Sequence, residues 1–159
     1  GGILLAPRRG SGHRTLLRGP YVDDASWGTR GQIAYAVNDP RVTPAHRIGV
    51  IPANGSGRGR QVLRDAASPD WSPSGRRLAL SRSDGLWVSD ARGRHARRVV
   101  AGQVGTPAWS PSGRWIAFSY GSDLAVVRTD GSRLRTVRHP IGGLPLTDPA
   151  WQPLPVRRR

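Results

Sequence analysis

Hydrophobic residues in this chain come in short bursts, separated by clusters of Gly, Pro, Ser, Asn and Asp. No stretch repeats its apolar positions at helical spacing, so the bursts read as β-strands joined by turns. The pattern predicts strands over residues 3–6, 13–18, 33–37, 48–51 and 61–63. It continues with 78–81, 86–88, 97–100, 116–119, 124–127 and 134–137. Three of these alternate large, small, large: Ile33-Ala34-Tyr35, Leu78-Ala79-Leu80 and Ile116-Ala117-Phe118. Successive side chains of a strand face opposite ways. Each such sheet therefore has one bulky face and one shallow face, a shape suited to stacking sheet upon sheet.

The bursts repeat as a set. Ser68-Pro69-Asp70-Trp71-Ser72-Pro73-Ser74-Gly75 returns as Thr106-Pro107-Ala108-Trp109-Ser110-Pro111-Ser112-Gly113. A worn copy surrounds Trp27, and a shortened one ends at Trp151, so the tryptophans are 44, 38 and 42 residues apart. A period near 40 residues with four short strands per period is the pattern of a propeller blade. After each of the two clear tryptophans, proline presets one turn position, serine bonds the local backbone, and glycine takes the left-handed position. Asn54-Gly55 and Asp130-Gly131 supply hairpin turns later in the period. Residues 38–46, with two prolines, form a loop between the second and third strands of their blade.

The fold expected is all-β: blades of four antiparallel strands, about three whole and partial at both ends. The divisions fall at a partial blade 1–19, blades at about 20–66, 67–103 and 104–143, and a closing strand 147–153. Residues 154–159 read as a disordered basic tail. The opening half blade and the absence of methionine suggest the C-terminal part of a larger ring.

Composition adds charge. The chain carries 25 basic and ten acidic residues, for a formal net charge of +15. All the basic residues are arginine and all the acidic ones aspartate, a bias that fits a GC-rich coding background. That background accounts for the choice of arginine over lysine but not for the whole excess of positive charge. There is no cysteine, which excludes disulfides and thiolate metal sites. No apolar run approaches the roughly 18 residues of a membrane span.

The residues just quoted resemble the TolB-type, WD-like β-propeller repeat, whose pattern is roughly Pro-x-Trp-Ser-Pro-Asp-Gly, then Ile-Ala-Phe, then a strand ending in Asp-Gly. Pro69, Trp71, Ser72, Pro73 and Gly75 match it. So do Pro107, Trp109, Ser110, Pro111, Gly113, Ile116, Ala117, Phe118 and Asp130-Gly131. Ser74 and Ser112 stand where the family has aspartate, and the copy around Trp27 lacks the Ser-Pro pair. The resemblance implies that the first strand of each blade lines a central channel. It also implies a periplasmic or extracellular location.

Three sets of residues are candidates for function. Asp24, Ser68, Thr106 and Asp148 each stand three residues before a tryptophan and form a polar ring at the channel mouth. Such a ring suits a cation, an arginine or a peptide end, or simply caps the turn entering each strand. Arg97, Arg98 and Arg135 lie on outer strands. Arg14, Arg97 and Arg135 each follow a turn glycine by four residues. They form a rim for anionic partners, or charge an edge against unwanted pairing. The tryptophans at 27, 71, 109 and 151 are expected in the core between blades. Trp115, near a hairpin turn, is the candidate contact aromatic.

Catalysis finds little support. No Gly-x-Ser-x-Gly elbow and no glutamate occurs, and the histidines at 13, 46, 95 and 139 fall in separate turns without metal-ligand spacing. No cofactor or metal is expected. Aromatics are not interleaved with the arginines, which argues against nucleic acid. The favoured reading is a non-enzymatic scaffold that binds another protein or a cell-envelope component. The alternative is the substrate-gating propeller of a prolyl-oligopeptidase-type serine peptidase, with the catalytic domain elsewhere.

Overall fold

The computed structural model describes residues 2–5, 14–137 and 148–152. His13, His139, residues 138–143 of the last expected blade and the tail from 154 lie outside the described residues. Among the described residues, fourteen strands form four antiparallel sheets. The first sheet pairs β1 (Gly2–Leu5) with β2 (Arg14–Arg18).

Three four-stranded blades follow. The first holds β3 (Val22–Gly28), β4 (Gln32–Asn38), β5 (His46–Pro52) and β6 (Arg60–Arg64). The second holds β7 (Ala67–Trp71), β8 (Arg77–Arg82), β9 (Gly85–Asp90) and β10 (Arg97–Ala101). The third holds β11 (Ala108–Trp109), β12 (Trp115–Tyr120), β13 (Asp123–Arg128) and β14 (Arg135–Val137). Within each blade the strands pair in sequence order, so every connection is local. No helix among the described residues is long and apolar enough to cross a membrane.

The Ser-Pro-Ser-Gly turns work as their residues dictate. Gly75 and Gly113 take φ of 63° and 69°, a region closed to most side chains. Their amides close the turns on the carbonyls of Ser72 and Ser110, both at 2.8 Å. The Ser72 and Ser110 hydroxyls are nearly inaccessible and accept the amides of Arg77 and Trp115 at 3.1 and 3.0 Å. A buried hydroxyl with a backbone partner avoids the cost of an unmade hydrogen bond.

The blades stack face to face, bulky on shallow. Trp71, Leu78 and Leu80 of the second blade pack on Ala34, Ala36, Ile48 and Val50 of the first. Trp109, Ile116 and Phe118 of the third pack on Ala79, Leu86 and Val88 of the second. In the first blade's own sheet, Tyr35 lies opposite Gly49, where a Cβ would clash with its ring. Burial of the ring pushes the Tyr35 hydroxyl's pKa up.

One expectation about the tryptophans needs correction. Trp71 and Trp109 are 5% and 6% exposed, but Trp27 is 58% exposed. Trp71 and Trp109 pack toward the preceding blade, with the Trp71 ring lying against Gly28. Before Trp27 the described chain supplies only the outer pair β1–β2, which leaves its ring uncovered. Residues 148–152, within the closing strand expected at 147–153, pair with no strand among the described residues. Trp151 is half-buried, and its indole N–H donates to the Ala108 carbonyl at 2.9 Å.

Candidate functional site

The inner strands β3, β7 and β11 lie side by side, and their starts surround a recess of about 220 Å³. It is lined by Asp24, Ser26, Ser68, Asp70 and Thr106, with Pro69 and Pro107. The sequence places its polar groups here through two registers, three residues before each tryptophan and one residue before Trp27 and Trp71. Backbone irregularity helps. The β3–β4 and β7–β8 ladders slip at Asp23/Ser26 and Ala67/Asp70, and Asp24 and Ser68 take φ of 42° and 47°. A bulge of this kind turns side chains away from their regular alternation.

Three of the four ring candidates line the recess, and Asp148 joins them through its backbone. The Ser68 hydroxyl donates to Asp24 Oδ2 at 2.9 Å, linking the first and second blades. The Asp148 amide donates to the Thr106 hydroxyl at 3.0 Å. Asp24 Oδ1 has no hydrogen-bond partner among the described residues, and both aspartates are exposed. The ring positions thus tie neighbouring strands together while leaving carboxylate oxygen facing solvent.

Asp70 is the residue that sequence reasoning passed over. Its Oδ1 accepts the Ser26 hydroxyl at 2.8 Å, and its Oδ2 accepts the Trp109 amide at 2.7 Å. The Ser26 hydroxyl in turn accepts the Trp71 amide at 3.2 Å. One carboxylate therefore joins the inner strands of three successive blades. Burial raises its pKa, against the pull of the Trp109 amide and the Ser26 hydroxyl. The available signal was its position, one residue before the tryptophan, where Ser26 stands in the preceding repeat.

The arginine rim divides. Arg97 donates to the Thr129 carbonyl in the third blade's outer turn. Arg14, at the same spacing from a glycine, donates to the Asn54 carbonyl in the first blade's outer turn at 3.0 Å. This register is a latch from one blade's outer strand to the next blade's turn. Arg98 pairs with Asp84 at 3.1 Å, while Arg135 is exposed. Trp115 is half-buried, with the Arg128 guanidinium 5.9 Å from its ring centre. Among the described residues, no three His, Asp, Glu or Cys side chains group to hold a metal.

No family model matches the chain, and no curated protein matches it by sequence. Solved structures do. The putative TolB from Agrobacterium tumefaciens matches with a TM-score of 0.73 at 19% identity, over 85% of this chain and 55% of that one. A chain of the nidogen/laminin complex matches at 0.62 and 15%, over 78% and 51%. The β-propeller domain of the trilobed protease from Pyrococcus furiosus matches at 0.59 and 14%, over 74% and 43%. This chain thus spans about half the length of the structures it resembles. At such identities the likeness concerns fold, and it agrees with the strand order, the blade stacking and the repeat of the sequence. The chain is a run of β-propeller blades, similar in fold to the putative TolB.

Proposed function

We propose that this chain is a non-enzymatic propeller scaffold that binds another protein, holding a cationic group of its partner at the inner-strand mouth. The observation that carries the reading is the recess itself. It combines exposed carboxylate oxygen at Asp24 with hydroxyls at Ser68 and Thr106, on strands hydrogen-bonded to one another through Asp70. Fixed acceptors of this kind suit an arginine side chain or a peptide amino terminus. A partner in the cell envelope, and a periplasmic or extracellular location, go with this reading by likeness to the TolB fold. A complex of two proteins stands among the similar structures.

A second reading has its own support, since a protease and acylaminoacyl peptidases are also among the similar structures. In it the blades gate the catalytic domain of a serine peptidase. A hydrolase domain adjoining this segment in the gene would favour that reading over the first.

The test of the first reading is a labelled peptide ending in arginine amide, titrated against wild-type chain and Asp24→Asn. The amide keeps an oxygen to accept from Ser68 and removes only the charge. Affinity should fall about tenfold, the equivalent of about 1.4 kcal/mol, with thermal unfolding unchanged. Equal affinity in the two proteins would overturn the assignment of the mouth.

A further inference from the structure

The two ends of the blades differ in charge in a way that composition does not explain. One end carries the connections between first and second strands and between third and fourth strands. These are residues 29–31, 53–59, 72–76, 91–96, 110–114 and 129–134. They contain seven arginines and one aspartate, and every one of the six has an arginine. The opposite end carries the remaining connections among the described strands from β2 to β13, residues 19–21, 39–45, 65–66, 83–84, 102–107 and 121–122. These contain one arginine and three aspartates. A coding bias that favours arginine acts on both ends alike. These arginines also lie in hairpin turns rather than along an edge strand, so protection against edge pairing does not account for them.

The turn end has a groove to match. Between the first and second blades lies a cleft of about 450 Å³, lined by five arginines (Arg30, Arg60, Arg76, Arg92 and Arg94) and one acid, Asp90. Arg30 is held by the Ser74 carbonyl at 3.2 Å, and Arg94 by Asp90 at 3.4 Å. Arg60, Arg76 and Arg92 are exposed, and no hydrogen bond or ion pair engages their guanidinium groups among the described residues. Like charges brought together cost stability unless something answers them, and Asp90, the acid lining the cleft among the described residues, is already engaged by Arg94.

We infer that this cleft is a docking site for an acidic peptide segment, with Asp or Glu carboxylates seated on Arg60, Arg76 and Arg92. The planar fork of arginine matches a carboxylate with two parallel hydrogen bonds. The concave shape takes an extended chain, whereas a bilayer presents a plane. No aromatic lines the cleft to stack a base, which sets it apart from single-strand nucleic-acid grooves. The site lies at the end of the blades away from the mouth and extends the protein-binding reading to a second surface.

The test titrates fluorescein-labelled oligoglutamate against the full chain and two triple variants. One changes Arg60, Arg76 and Arg92 to serine. The other removes the same charge from the opposite end, changing Arg18, Arg41 and Arg64 to serine, all three exposed. Urea midpoints confirm that each variant folds. The cleft triple should weaken binding about tenfold or more, and the control triple by less than about threefold, as expected when exposed charges act only through the general field. Equal losses in the two triples would overturn the site, leaving only net charge. Tighter binding of oligothymidylate or of phosphatidylglycerol vesicles, lost with the cleft triple, would overturn the choice of an acidic peptide. A chain that binds the arginine-amide peptide but not oligoglutamate loses this inference and keeps the mouth. The converse result loses the mouth and keeps the cleft.

Discussion

Equivalent residues of a repeat do not share equivalent surroundings, and the tryptophans show the consequence most plainly. Trp71 and Trp109 are buried between blades, and the Arg77 guanidinium lies 4.9 Å from the Trp109 ring centre. Truncating either to alanine empties a large aromatic site and should cost about 3–5 kcal/mol. Trp27→Ala, at the same register, should cost less than about 1 kcal/mol, because its ring is already in water. Urea unfolding of the three variants checks the ranking. A large loss at Trp27 would mean that its ring is covered in solution. The sequence could not distinguish Trp27 from the others, since burial here depends on the neighbouring blade and not on the residue's own repeat.

At the scale of the element, the strands and their faces were legible. Alternation of large and small residues in β4, β8 and β12 comes from direct packing of a bulky face on a shallow one, a relation written locally in each strand. The turns were legible for the same reason, because Ser-Pro-Ser-Gly closes on itself. The ties between strands were not. Asp70 bonds Ser26, 44 residues away, and Trp109, 39 away, so its role exists only once the blades are stacked. The latch formed by Arg14 and Arg97 was visible as a spacing, but its acceptors are backbone carbonyls of another blade, which leave no mark in the sequence.

Asp70 makes the inner strands sensitive to pH in a predictable direction. Its folded-state pKa is raised above the ordinary 3.8, chiefly by burial. The folded protein therefore binds a proton more readily than the unfolded chain between 3.8 and the raised value, and in that window stability from this group falls as pH rises. Asp39 runs the other way, since Arg41 at 2.9 Å holds it at about 2, and its contribution is lost as pH falls through that value. Comparing wild type with Asp70→Asn isolates the first effect. The stability difference should move in favour of wild type as pH is lowered from 7 toward 4, measured by urea midpoints. A difference that stays constant would contradict the raised pKa.

For the whole molecule, the stack gives a body with two unlike ends. The inner-strand starts present carboxylates and hydroxyls, and the hairpin turns present arginines. The repeat period was enough to predict the stack. Which end each charge occupies was not read from the sequence, although strand order would assign it once the strands were placed. The central claim is that the mouth binds a cationic group of a partner protein. Hydrogen exchange on the chain with and without saturating arginine-amide peptide tests it most directly. The account predicts slowed exchange at amides within residues 22–26, 67–70 and 104–109, with the hairpin turns unchanged. Unaltered exchange at the inner strands, or protection confined to the turns, would contradict it.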